Sequence, residues 1–125
     1  MELNDYQKRA MGTCMPSCEN FSYMMLNLVG EVGEFASKVA KMVRKGQVEI
    51  DTMDERTSDL FPMMSLPQWV YMQEELKKEA GDIMWQLAGL CHVMGWNLDD
   101  IAQMNLKKLA SRQRRGVIDG EGDNR

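Results

Sequence analysis

Twice in this chain a pair of carboxylates three residues apart runs beside a row of apolar residues of helical period. The pairs are Glu31 and Glu34 in Gly30-Glu31-Val32-Gly33-Glu34-Phe35, and Glu79 and Asp82 in Glu79-Ala80-Gly81-Asp82. At about 100° per residue, positions i and i+3 share one helix face. Around the first pair, Met25, Leu28, Val32, Phe35, Val39 and Met42 form an apolar stripe, with Asn27, Glu31, Glu34 and Lys38 along its margin. Around the second, Trp69, Met72, Leu76, Ala80, Ile83, Leu87, Leu90 and Met94 repeat the design, with Glu75, Glu79, Asp82 and Gln86 at the edge. Two such helices side by side would bring four carboxylates together. Unscreened anions at close range repel, so the cluster calls for a cation, and an all-oxygen donor set favours a hard divalent ion, Mg²⁺ or alternatively Mn²⁺.

The stripes predict two long antiparallel helices, Asn20 to Lys45 and Gln68 to Met94, closed by Gly46 and Gly95. A short first helix is expected over Leu3–Met11, with Asn4 or Asp5 as its cap. A shorter last helix follows Asn97, its expected cap, with Asp99 and Asp100 in its first turn. Residues 47–67, holding Pro62, Pro67 and the mixed acidic stretch Glu49 to Asp59, read as an irregular flap without strand pattern, and Leu60 to Met64 as an apolar stretch able to dock. Residues 113–125 read as a glycine-rich tail. The fold class is therefore all-α, a helical bundle within a single domain over residues 1–125. Two long helices with wide apolar seams bury poorly alone, so a homodimer or homotetramer is expected to complete the bundle. Mid-helix Gly30 and Gly33 each cost about 1 kcal/mol relative to alanine, which calls for close approach by a ligand or another helix.

Charge narrows the function. A net charge of −4 argues against stable nucleic-acid binding. No apolar run reaches the roughly 20 residues of a membrane span, and Met1-Glu2-Leu3-Asn4-Asp5 is not a signal peptide, so a cytoplasmic location with reduced thiols is expected. Cys14, Cys18, Cys91 and His92 invite a zinc reading, but the spacing is not that of a common finger, and the reading is set aside. By spacing alone, the acid pairs are either two solvated helix faces or a divalent-metal site. Lys38 either binds phosphate or pairs with Glu34, four residues before it. Trp85 either stacks on a base or fills the core. Lys108 and Arg112, taken alone, are a cationic last turn that complements the helix dipole.

Read together and in order, these segments resemble the MazG-like all-α nucleoside triphosphate pyrophosphohydrolases. The resemblance rests on Leu28-Val29-Gly30-Glu31-Val32-Gly33-Glu34, on Glu79-Ala80-Gly81-Asp82-Ile83-Met84-Trp85, and on Asn105-x-x-Lys108-Leu109-x-x-Arg112. The ending Arg115-Gly116-Val117-Ile118 through Gly122-Asp123-Asn124-Arg125 is similar to the tail of short members, and the match runs from Tyr6-Gln7 to the end. The stretch between Glu34 and Glu79 is longer than in compact relatives, which bears on the pocket and not on the acid cluster. The resemblance implies Mg²⁺-dependent hydrolysis of a (d)NTP between the α and β phosphates, to a monophosphate and pyrophosphate, in nucleotide-pool housecleaning. It implies Glu31, Glu34, Glu79 and Asp82 as metal ligands, Glu34 and Glu31 as the catalytic carboxylates, and Lys38, Trp85, Asn105, Lys108 and Arg112 as substrate-binding residues. Selective all-α dUTPases or dCTPases and phosphoribosyl-ATP pyrophosphohydrolases are rival readings. A non-enzymatic helical interaction module is a third.

Overall fold

A computed structural model describes the backbone of residues 1–50 and 60–125, and the side chains of residues 1–49 and 63–125. The all-α class holds. Helix α1 spans Leu3–Met11, α2 Phe21–Arg44, α3 Leu66–Val93 and α4 Leu98–Arg114, with a 3-10 turn at Pro16–Cys18. Among the described residues no helix is long and apolar enough to cross a membrane.

The expected flap is more ordered at its two ends than its sequence implies. Strands β1 (Val48–Ile50) and β2 (Leu60–Pro62) pair antiparallel, with Val48 opposite Pro62 and Ile50 opposite Leu60. Three-residue strands are too short to show an alternating period, so the sequence read as irregular there. The rest of the expected acidic flap, residues 51–59, lies outside the described residues, as do the side chains of the apolar stretch at 60–62.

The chain divides into two compact units, Met1–Phe21 with Ala88–Arg125, and Ser22–Leu87. In the second unit, α2 and the first part of α3 run antiparallel. Lys38 meets Glu75 and Glu79, and Glu31 lies with Glu79 and Asp82, so rising numbers on one helix face falling numbers on the other. The core here is Met42, Val48 and Leu76, with Phe35, Val39, Met64, Trp69 and Met72 packed against it. Gly46 takes φ +67, the left-handed conformation that ends α2 and turns the chain into β1.

The apolar stripes are only partly covered. Met42 and Leu76 are buried, but Val32 is 50% exposed and Leu87 42% exposed, while Met24, outside the expected stripe, is fully buried. Each helix carries a wider apolar sector than one neighbour can cover. Within the single chain and among the described residues, no other helix makes the close approach expected at Gly30 and Gly33: a Cβ on Gly33 would meet nothing within 4 Å, and on Gly30 only the Asn27 side chain at an ordinary 3.6 Å.

The first unit is built on a capping exchange. Asn4 and Gln7 lie on one face of α1. Asn4 Oδ1 accepts a hydrogen bond from the Asp99 N–H at 3.0 Å, and Gln7 Oε1 accepts from the Leu98 N–H at 3.1 Å. These are first-turn donors of α4 that have no partner within their own helix. The expected cap, Asn97, makes no side-chain capping bond, and Asn4 caps α4 instead of α1. The Gln7 amide nitrogen also donates to Trp96 O at 2.9 Å and Ala88 O at 3.3 Å, so a buried polar side chain is fully used. Ala88, Cys91 and Leu98 form the core beside it, with Tyr6, Met11 and Ile101.

Candidate active site

The site is built on the margins of α2 and α3 within the second unit. Glu31, Glu79 and Asp82 each offer a carboxylate oxygen, and these oxygens lie within 4.8 Å of one another. Glu79 is buried. Its Oε1 accepts from Lys38 Nζ at 2.5 Å, whereas its Oε2 is buried with no hydrogen-bond partner among the described residues. Leaving a buried carboxylate oxygen unpaired costs about 1–3 kcal/mol or more, so the atom marks a place for a ligand.

The electrostatics agree. Burial first, and then the anions Glu34 and Asp82, push the Glu31 carboxyl above the usual glutamate range, against a lowering hydrogen bond from Asn27 Nδ2 to Glu31 Oε1 at 3.2 Å. Lys38 is held protonated above its ordinary value, chiefly by its hydrogen bond to Glu79. Lys38 also lies 3.6 Å from Glu75 Oε2, while Glu75 Oε1 takes Lys78 at 2.6 Å. Pairing of Lys38 along its own helix with Glu34 is thus replaced by pairing across to α3, where the deeper carboxylates sit.

Of the four expected acids, three converge. Glu34 is exposed and stands outside that trio, although its charge reaches Glu31. Trp85, three residues beyond Asp82 on α3, is half-buried and engaged in an interaction of its own. Gln86, buried with its Oε1 unpartnered among the described residues, joins the margin one turn past Asp82. Its place on the polar stripe of α3 was the signal that could have singled it out.

Asn105, Lys108 and Arg112 belong to the first unit, on α4. Asn105 is exposed. Arg112 is 5% exposed, and its Nη2 donates to Asp123 Oδ1 at 3.0 Å and Asp123 O at 3.1 Å; Lys108 Nζ reaches the same Oδ1 at 3.3 Å. Arg125 closes the tail by donating to Val117 O, Ile118 O and Gly122 O. The glycine-rich tail is therefore a hook on the two cations. Cys14, Cys18 and Cys91 are free thiols, and His92 Nε2 pairs with Glu19 Oε1 at 2.7 Å. The trio of carboxylates is the only cluster of metal-ligating groups among the described residues.

The chain belongs to the MazG nucleotide pyrophosphohydrolase domain family, whose model matches residues 19–117, a span that includes both helices of the carboxylate trio. Over its whole length the chain is also similar to the "Gene 37 protein" of Mycobacterium phage L5, 40% identical over 132 aligned positions that cover all of both proteins. No solved structure matches it.

Proposed function

We propose that this chain is a Mg²⁺-dependent nucleoside triphosphate pyrophosphohydrolase that cleaves (d)NTP to (d)NMP and pyrophosphate. The observation that carries the reading is the convergence of Glu31, Glu79 and Asp82 on a buried, unpartnered Glu79 Oε2. The donor set fits a hard divalent ion: oxygens only, three carboxylates, one atom already desolvated and unused. Glu31, Glu79 and Asp82 would hold it, with Glu34 completing the set. When bound, Mg²⁺ supplies positive charge that lets a triphosphate approach the acids and polarises its phosphoryl oxygens.

The chain's own groups do the rest. Glu34, exposed at the edge of the trio, takes the proton of the attacking water, with Glu31 beside it. The water oxygen joins one of the two bridged phosphorus atoms, the P–O bridge breaks, and the departing fragment keeps the electron pair. Lys38 steadies Glu79 and is within reach of phosphate oxygens. Trp85 stacks on the base, Asn105 bonds a sugar or phosphate oxygen, and Lys108 and Arg112 neutralise phosphate charge. The whole chain acts as one domain in the cytoplasm. A homodimer or homotetramer covers Leu26, Val29 and Val32 on α2 and Met84 and Leu87 on α3, all of them exposed in the single chain.

The test is incubation with a panel of ribo- and deoxynucleoside triphosphates plus Mg²⁺, assaying pyrophosphate. Release is expected with at least one nucleotide, and Glu79→Gln should lower it at least about 100-fold. Undiminished release from Glu79→Gln would remove the assigned site, and no release from any nucleotide would remove the activity.

A further inference from the structure

Beside the acid trio, and within the same unit, lies a cavity of about 270 Å³ of which the hydrolytic reading uses only Lys38. Its lining includes Lys38, Lys41 and Lys45 from α2, Gln47 from the turn after it, and Tyr71 and Glu75 from α3. The lysines stand at i, i+3 and i+7, so they share one helix face and span roughly 10 Å along it. Among the described lining residues three lysines face one carboxylate, and Glu75 is already engaged by Lys78 at 2.6 Å and Lys38 at 3.6 Å. Lys41 and Lys45 have no carboxylate within salt-bridge distance among the described residues. In a protein of net charge −4, the described lining of this cavity is cationic.

The cavity also has a direction. Lys38 lines it and at the same time contacts Glu79, so its inner end adjoins the acid trio. An adjoining groove of about 400 Å³ shares Gln47, Tyr71 and Met72 with it but is otherwise lined by Met64, Pro67 and Gln68, with no charged residue among the described lining. Among the described lining residues, the positive charge thus lies in the part nearer the carboxylates. A wall of lysine ammonium groups selects an anion over a base or a sugar. The span of the three lysines suits a short phosphate chain and not a single carboxylate.

We propose that this cavity holds the pyrophosphate end of the substrate, with Lys41 and Lys45 as phosphate ligands beside Lys38. The proposal rests on the triphosphate reading above and extends it. The β and γ phosphates run from the acid trio along α2 toward Lys45, and the nucleoside lies on the other side of the trio. The enzyme then recognises its substrate partly by phosphate-chain length, and free pyrophosphate competes for the same lysines.

Calorimetric titration of the full-length protein with inorganic pyrophosphate in the presence of Mg²⁺ tests this directly, with a nucleoside monophosphate as the parallel ligand. Lys41 and Lys45 are exposed, so a Lys41→Gln/Lys45→Gln variant leaves the core intact, which a matching melting curve checks. The expected result is pyrophosphate binding by the parent protein, weakened at least about tenfold in the variant, with monophosphate affinity unchanged and the loss restored by Lys41→Arg/Lys45→Arg. Unchanged pyrophosphate binding, or no binding by the parent, overturns the proposal. An equal loss for monophosphate also overturns it, because the cavity would then serve the nucleoside end. Lysine-dependent pyrophosphate binding in a protein that hydrolyses no nucleotide would keep the cavity as an anion site while removing the hydrolytic reading.

Discussion

The two charged regions of this molecule solve opposite problems. On α2 and α3, Glu31, Glu79 and Asp82 draw together more negative charge than the chain neutralises: Lys38 takes one oxygen of Glu79, and the other is left buried and unpartnered. On α4, Lys108 and Arg112 gather positive charge, and there the chain supplies its own counter-ion, since Asp123 reaches both from the tail. One region keeps unneutralised acid among the described residues, and the other receives a counter-ion from its own tail, although Arg112 Nε stays without a partner there. The same kind of charge removal should therefore move stability in opposite directions.

The largest effect is expected in the basic region. Arg112 is buried and donates to the Asp123 carboxylate and to the backbone carbonyls of Gly122 and Asp123. Arg112→Met keeps most of the volume and removes every one of these bonds. It should destabilise the fold by about 1–3 kcal/mol in a denaturant titration. If Arg112 also meets the substrate, nucleotide hydrolysis should fall by roughly 10- to 100-fold. A variant as stable as the parent would show that the tail is not fastened through Arg112, and the comparison would lose one side.

The acidic region should answer the other way, and more weakly. Glu31 has a pKa raised in the folded state by burial and by Glu34 and Asp82. A raised carboxyl favours the fold below the ordinary glutamate range, and that contribution is lost as pH rises through the shifted value. At pH 7 without metal, the ionised group is a burden. Glu31→Gln should raise the melting temperature of the metal-free protein by a few degrees or less, and should abolish the further rise that added Mg²⁺ is expected to give the parent under the proposed function. Melting curves at pH 7 with and without Mg²⁺ check both parts. A lower melting temperature in the metal-free variant would mean that Asn27 and its bond to Glu31 outweigh the repulsion.

Much of this contrast was legible beforehand, and what was missed has physical causes. Apolar spacing placed α1 correctly at Leu3–Met11 and α2 to within a residue at each end, because long amphipathic faces repeat their signal over many turns. Helix α3 begins at Leu66, earlier than Gln68, since Pro67 in a first turn gives up no intrahelical bond. The acid pairs announced a cluster, but spacing cannot tell that Glu34 stands outside the trio while Glu31 stands within it. That difference depends on which side of α2 faces α3. Asn4 capping α4 across 95 positions of sequence, and Lys38 choosing Glu79 over Glu34, are tertiary facts with no local signature. The hook at Asp123 is of the same kind: a string of glycines shows that the chain bends, and not where it fastens.

That hook also yields the smallest and most specific effect. Hydrogen bonds from Arg112 and then Lys108 hold the Asp123 carboxyl below the usual aspartate range. A depressed carboxyl contributes stability above its unfolded pKa of about 3.9 and loses it as pH falls through the lower folded value. Fastening of the tail should therefore persist at neutral and mildly acidic pH and weaken below about pH 4. Asp123→Asn should bring that weakening to neutral pH. Asp123 is 83% exposed, so solvent screens its pairs, and Arg125 still ties the tail to Val117 and Ile118. The expected consequence is accordingly local. The Val117 amide, bonded to Arg112 O, and the Gly120 amide, bonded to Val117 O, should exchange with deuterium about two- to fivefold faster in the variant at pH 7. Amides of α2 should keep their rates. Unchanged exchange at both tail amides would assign the fastening to Arg125 and to the bonds from Arg112 to the Gly122 and Asp123 carbonyls, and would leave the Asp123 carboxylate without structural consequence as a counter-ion, so that the contrast between the two charged regions would fail.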